Sequence, residues 1–175
     1  DAAAIVFGGM TATYFLQKAG IEVKKQQEVL IYGASGSVGC AAIEIAKHYN
    51  TKVTAVCSEE GVPLVKKLGS SEVVIYTKQD FTKLSKKYDI VFDAVGKTDK
   101  RKCNNLLKKS GKYFTVGGLE IAKEEKAQLC FLKKLFDNNE LHANIDRVYS
   151  LDDIVEAHKY VDTGRKKGNV VVEVS

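Results

Sequence analysis

At 175 residues, 45% hydrophobic and 28% charged, the chain is long enough for one domain with a sizeable core and too apolar to stay disordered. No uninterrupted apolar stretch approaches the ~20 residues of a membrane-spanning helix, and no basic-then-apolar leader opens the sequence, so no membrane partner is expected. The net charge of +5 is spread along the chain and carried almost wholly by Lys; only Arg101, Arg147 and Arg165 could fork onto a base or phosphate, which argues against nucleic acid.

The stretch Asp1–Phe7 reads as mid-helix, which suggests a piece of a longer polypeptide. Val29–Tyr32 is a continuous apolar strand ending at Gly33, and Val38–Tyr49 follows with apolar residues at helical spacing. Lys52–Cys57 is a second strand. A helix starts near Val62 with Pro63 in its first turn and stops at Gly69. Glu72–Tyr76 and Tyr88–Phe92 are strands three and four. Lys97–Lys109 reads as a helix stopped by Gly111, and Lys112–Val116 as the fifth strand, ending in Gly117–Gly118. A helix over about 123–137 precedes an extended segment, Asn144–Tyr149. Ser150 opens a capping-box-like start for the helix Leu151–Val161, Gly164 ends it, and Asn169–Val174 is a sixth strand. Apolar strands separated by helices predict a doubly wound, Rossmann-type α/β domain over 1–175: a six-stranded parallel sheet with helices on both faces.

The paired lysines, Lys24–Lys25 through Lys166–Lys167, fall at helix ends and turns, where they complement helix dipoles and keep the surface soluble. Cys40, Cys57, Cys103 and Cys130 have no close spacing, so neither a disulfide framework nor a zinc knot is expected; free thiols suit the cytoplasm. His48, His142 and His158 lie far apart and read as surface or helix-face residues, and Asp93 as a buried residue that stabilises a turn.

The chemistry concentrates where the first strand runs into Gly33-Ala-Ser-Gly-Ser-Val-Gly39 and directly into a helix. Strand, glycine turn and helix together form the context of a dinucleotide site. Gly36 would let the backbone approach a pyrophosphate, Gly39 would let the helix pack closely on the strand, and Ser37 and Val38 would present free N–H groups at the positive end of the helix. Ala34 stands where the first fingerprint glycine would.

With Phe7–Ala12, Gln27–Gly39, Phe92–Gly96, Thr115–Gly118 and Gly168–Val172 in order, the chain resembles the medium-chain dehydrogenase/reductases, above all their zinc-independent NADPH:quinone oxidoreductase branch. The resemblance implies that this is the cofactor-binding domain, that a GroES-like catalytic domain is absent, and that residues 1–24 and 144–175 flank it. It implies hydride transfer between NADP(H) and a quinone, enone, or aldehyde/alcohol substrate. It also implies that Thr11 lies near the nicotinamide and that Ser35, Gly36, Ser37 and Val38 hold the pyrophosphate. Val95 and Gly96 would then contact the ribose and nicotinamide side, and Gly117 and Gly118 would floor the nicotinamide site. The stretch between Gly118 and the helix around Phe131 is shorter than the family's, which bears on the homodimer contacts made there.

NADP(H) is favoured over NAD(H). An NAD site usually carries an acid about 20 residues past the glycines, where this chain has Cys57. Ser58 could hydrogen-bond a 2′-phosphate, and Tyr76 is placed as in quinone reductases to close over it. No zinc is expected, because Ile5–Thr11, where zinc-dependent relatives place a Cys ligand, offers no thiolate, imidazole or carboxylate. The alternative to a redox enzyme is a non-catalytic nucleotide-binding or interaction protein keeping the fold. A Tyr-x-x-x-Lys pair at Tyr14 and Lys18 precedes the glycine loop, whereas short-chain dehydrogenases place theirs after it, so it is read as coincidence.

Overall fold

The computed structural model describes residues 2–23 and 26–174; Asp1, Lys24, Lys25 and Ser175, and with them the expectation for the Lys24–Lys25 pair, lie outside the described residues. Helix α1 (Ala2–Ala19) leads into strand β1 (Glu28–Tyr32), helix α2 (Ser37–His48) and strand β2 (Lys52–Cys57). Helix α3 (Val62–Lys67) carries Pro63 in its first turn, where a missing N–H costs nothing. Strands β3 (Glu72–Ile75) and β4 (Tyr88–Asp93) follow.

These strands, with β5 (Leu107–Thr115), form one all-parallel sheet in the order β3-β2-β1-β4-β5. Ile31 of β1 is flanked by Ala55 on one side and Phe92 on the other. Side chains alternate faces along each strand. Val29, Ile31, Val53, Ala55, Ile90 and Phe92 join the larger core with α1 and α2, while Leu30, Val56, Val74 and Val91 pack on the opposite face with Phe81, Cys103 and Leu106. Both faces are covered, which explains the nearly unbroken apolar runs.

Two expectations are corrected. The helix over Lys97–Lys109 is only α4 (Lys100–Cys103) and a 3-10 turn at Asn104–Leu106; the backbone is extended from Leu107 on. Leu107 aligns with Tyr88, Lys112 with Ile90, and the intervening residues bulge out. Gly111 permits this bulge, since a Cβ there would sit 2.7 Å from the Tyr88 carbonyl oxygen. The Lys108 ammonium, 2.6 Å from Asp89, ties the bulge to β4.

The second correction is that the main sheet has five strands, not six. After α5 (Lys126–Asp137), β6 (Ile145–Ser150) and β7 (Asn169–Glu173) pair in parallel as a separate two-stranded sheet, linked through α6 (Ile154–Asp162). The Gly168 N–H donates to the Ser35 carbonyl at 2.8 Å, and the Ser37 hydroxyl donates to the Gly168 carbonyl at 2.9 Å. That anchor starts β7 at the glycine loop, beyond the end of β1, rather than along the free edge of β5.

Candidate functional site

Strand order reverses at β1: β2 lies to one side and β4 to the other. Crevices at the carboxyl ends of strands at such a switch point are where open α/β sheets bind ligands. Here the turn after β1 meets the turn after β4. Gly33, with φ +76°, sits under Val95, whose Cγ1 would be 2.6 Å from any Cβ placed on it. Gly96 in turn abuts Gly117 after β5, with only 2.7 Å between an added Cβ and the Gly117 Cα.

Asp93 builds this corner. Its fully buried carboxylate accepts from the backbone N–H groups of Val95 (3.1 Å), Gly96 (2.8 Å) and Thr98 (2.9 Å), and from the Thr115 hydroxyl (3.2 Å). Burial, followed by the Asp93 charge, pushes the nearby Tyr113 phenol well above its ordinary range. Asp93 is thus the turn-stabilising residue anticipated from the sequence, and its lone pairs are already committed.

The glycines of the β1–α2 loop are not equivalent. A Cβ on Gly39 would lie 2.2 Å from the Gly33 carbonyl oxygen and 2.6 Å from the Ala34 Cα, so the fold itself demands glycine there. Gly36, at φ −85° and ψ 177°, has an ordinary extended backbone, and its added Cβ would meet nothing closer than 3.5 Å. Nothing within the described residues requires a glycine at 36. No side chain caps α2, whose first N–H groups lie beside that open space. Together these features leave a cradle suited to an anion approaching the backbone.

Ser35, Gly36, Ser37 and Val38 therefore share one loop and helix start, and the Gly33–Val95 and Gly96–Gly117 contacts place Val95, Gly96 and Gly117 around the same corner. Gly118 is one residue beyond, with Thr115 as its nearest side-chain neighbour. Thr11 stands one helical turn after Gly8, which packs on the Ser37 backbone; its hydroxyl donates to the Phe7 carbonyl at 2.9 Å. Ser58 follows β2 and hydrogen-bonds the Glu60 carboxyl, holding it below its ordinary range. The Ser35 hydroxyl faces Gly61 of the same turn, so this turn adjoins the glycine loop. Tyr76 is half exposed after β3, its ring edge-on to Tyr32 at 6.2 Å.

The acids of the β2–α3 turn are offset by cations that sequence spacing did not bring together. Lys78 pairs with Glu59 at 2.5 Å, and the charges of Lys167 and Arg165 also favour ionised Glu60. Lys166 lies at the other end of the expected arrangement. Rather than complementing a helix C-terminus, its ammonium sits at the N-terminus of α2, donating to the Ser37 hydroxyl at 2.6 Å and the Gly168 carbonyl at 2.9 Å. The basic triplet between Gly164 and Gly168 was the available signal in the sequence, and nothing in it marks that Lys166 and Lys167 are half-buried while Arg165 is exposed.

The histidines are surface or helix-face residues as expected, and two of them, His48 on α2 and the exposed His142, also pair with acids. His142 Nδ1 lies 2.6 Å from the buried Glu44, and His48 Nδ1 lies 2.6 Å from Glu140. Both pairs border a hollow of about 720 Å³ between α2, α3 and residues 139–146, which none of the sequence-predicted site residues lines. The Tyr14 phenol donates to Glu120 at 2.6 Å, and Lys18 pairs with the same carboxylate. That hydrogen bond raises the Tyr14 phenol rather than lowering it, so the pair lacks the activation a proton-transferring tyrosine needs.

A family profile described as zinc-binding dehydrogenase matches residues 37–163. The donor set does not fit a metal: no group of three or more His, Cys, Asp or Glu among the described residues could hold one, and burial pushes the Cys40 and Cys57 thiols up to about 12 and about 11. Among similar proteins, the 2-methylene-furan-3-one reductase of Solanum lycopersicum is 31% identical over 98% of this chain and 46% of its own length. The chloroplastic NADPH-dependent alkenal/one oxidoreductase of Arabidopsis thaliana is 30% identical over 86% of this chain and 42% of its own. This chain therefore spans a little under half the length of both relatives. The structure of the quinone oxidoreductase from Coxiella burnetii superposes with a TM-score of 0.82 at 26% identity, covering 99% of this chain and 60% of that one. The chain belongs to the zinc-binding dehydrogenase family of the medium-chain dehydrogenase/reductases, and quinone- and alkenal-reducing oxidoreductases are among its relatives.

Proposed function

We propose that the chain is the dinucleotide-binding part of an oxidoreductase that uses NADP(H) to pass hydride to or from a quinone, enone, or aldehyde/alcohol substrate. The observation that carries this reading is Gly36: a glycine in unstrained backbone, with open space over it, beside an uncapped helix N-terminus at the sheet's switch point. The names of the relatives support the reaction class. The bound cofactor supplies the hydride chemistry, and the chain's own residues orient it.

In this reading Ser35, Gly36, Ser37 and Val38 hold the diphosphate, with the α2 N–H groups donating to it. Val95 and Gly96 bound the ribose beside the nicotinamide, Gly117 and Gly118 floor the nicotinamide, and Thr11 approaches it from α1. Ser58 and Tyr76 take the 2′-phosphate, for which Cys57 leaves no competing carboxylate. Lys78 adds positive charge on the same side, 2.5 Å from Glu59. Residues 2–23 and 144–174 then adjoin a catalytic domain, which fits β6 and β7 forming their own sheet. Zinc takes no part in the described residues, and the free thiols suit a cytoplasmic setting. No described helix is long and apolar enough to cross a membrane.

Titration with NADPH and NADH at low salt, followed by nicotinamide fluorescence, tests the reading. Tighter binding of NADPH supports it. Equal or tighter binding of NADH overturns the preference, and binding of neither overturns the function. Half of the substrate cleft is assigned to the further domain, so the chain alone should show little turnover with enones or quinones.

A further inference from the structure

We infer that the hollow between α2, α3 and residues 139–146 is a second ligand site, apart from the glycine loop, and that it takes a small organic phosphate. The inference does not depend on the dinucleotide reading.

The hollow is walled by a reciprocal exchange. Glu44 and His48 lie one turn apart on α2, and Glu140 and His142 lie two residues apart on the facing segment. Each histidine pairs with the acid of the other element: His142 Nδ1 lies 2.6 Å from Glu44, and His48 Nδ1 lies 2.6 Å from Glu140. Left-handed backbone at Asn139 (φ 60°) and Asn144 (φ 46°) turns the segment, and Leu141 between them is buried in the core. The wall is therefore held at both ends. The volume of about 720 Å³ falls within the roughly 300–1,000 Å³ of small-molecule sites, and Leu64, Leu68 and Ile145 give the lining an apolar part.

The charges around the hollow are unevenly spent. Its three carboxylates are committed to neighbours. Besides the histidines, Glu44 accepts from the Asn144 amide at 3.1 Å and Glu140 from the Asn138 amide at 3.3 Å. Asp146 accepts from the Tyr160 phenol at 2.7 Å and the Lys167 N–H at 2.8 Å. Its three lysines, Lys47, Lys67 and Lys167, form no ion pair among the described residues. The exchange uses Nδ1 of each histidine and leaves Nε2, a donor whenever the ring is protonated.

Lys47 and Lys67 stand in the last turns of α2 and α3, where helix dipoles could occupy them. The helix ends are capped without them: Ala46 accepts from the Thr51 N–H and hydroxyl, and Val65 from the Ser70 N–H and hydroxyl. Lys47 also leaves its own helix, its Nζ reaching within 3.3 Å of a Cβ placed on Gly69 after α3. Paired acids beside unpaired ammonium groups select a ligand that brings negative charge and acceptor oxygens. A carboxylate offers one charge and two oxygens. A phosphate monoester, with up to two charges and three strong acceptor oxygens, meets more of these donors. The apolar side chains favour an organic body attached to it.

The experiment titrates phenyl phosphate, inorganic phosphate and phenol against the chain and follows amide and imidazole resonances by NMR. Phenyl phosphate should give saturable shifts at Asn50, Leu68 and the rings of His48 and His142, and the other two probes should bind at least about tenfold more weakly. Lys47→Met and Lys67→Met should each weaken phenyl phosphate by about tenfold, the worth of one charge-assisted hydrogen bond. Both lysines are exposed, so neither change threatens the fold. Phenyl phosphate should bind equally with and without NADPH, so the result stands whether or not the dinucleotide reading does. Shifts confined to the glycine loop, displacement by NADPH, or no saturable shift would overturn the site. Phenol or inorganic phosphate binding as tightly as phenyl phosphate, or full affinity in both lysine variants, would overturn the ligand class.

Discussion

Gly36 and Gly39 stand three residues apart in one loop, and the structure assigns them opposite reasons for being glycine. In Gly36→Ala the new methyl meets only the Gly33 carbonyl oxygen at 3.5 Å, an ordinary van der Waals distance, and φ −85° with ψ 177° is open to alanine. The folded state should tolerate it, and the loss of backbone freedom in the unfolded chain should add about 0.4–1 kcal/mol of stability. The same methyl occupies the space through which a diphosphate reaches the α2 N–H groups. Overpacking at that scale costs about 1–3 kcal/mol, or roughly 10- to 100-fold in affinity. In Gly39→Ala the methyl would lie 2.2 Å from the Gly33 oxygen and 2.6 Å from the Ala34 Cα, both backbone atoms. The β1–α2 turn must then open, at a cost of about 3 kcal/mol or more. Because the chain has no Trp, urea unfolding is best followed by circular dichroism, with NADPH titration run in parallel. A Gly36→Ala protein that binds NADPH as wild type does, or that is destabilised as much as Gly39→Ala, would refute the reasoning.

Three further outcomes follow from other contacts. Asp93→Ala strands three backbone N–H groups in a buried corner and should lower stability by about 3–5 kcal/mol in urea unfolding, with Asp93→Asn losing less; a loss under about 1 kcal/mol would contradict its structural role. Burial raises the Glu44 carboxyl above its ordinary 4.5, so the native state holds that proton more tightly than the unfolded chain does. Its stabilising contribution is present below the ordinary value and is lost as pH rises through the raised folded value; wild-type stability should fall over that window more steeply than that of Glu44→Gln, and parallel pH profiles would refute this. Ser58→Asp places a carboxylate against the 2′-phosphate and should weaken NADPH by about 1–3 kcal/mol with little effect on NADH, as isothermal titration would show; equal losses would remove Ser58 from the site.

The sequence was most legible where one physical requirement dominated. Lys52–Cys57 is a strand in both readings because a short run rich in β-branched residues, buried on both faces from Val53 to Cys57, has few alternatives. The Gly33–Gly39 loop was legible because strand, tight turn and helix follow each other without spare residues. Leu106–Leu107 was misread because two apolar residues beside lysines satisfy a helix face as well as a strand, and only the Tyr88 and Asp89 contacts with Leu107 and Lys108 decide between them. The sixth strand failed for another reason: the run Asn169–Glu173 shows that a strand exists, while its partner depends on the Gly168 anchor to Ser35 and Ser37. Contacts of that range leave no mark in local spacing. The same holds for Glu44 with His142, which are 98 residues apart, and for Lys166 with Ser37, which are 129 apart.

A crystal structure of the chain with NADP⁺ tests the central claim most directly, because it locates the diphosphate. The account predicts it over Gly36, within hydrogen-bonding distance of the Ser37 and Val38 N–H groups, with the 2′-phosphate beside Ser58 and Tyr76. NADP⁺ bound in the hollow between α2, α3 and residues 139–146, or a glycine loop left bare at saturating cofactor, would contradict it.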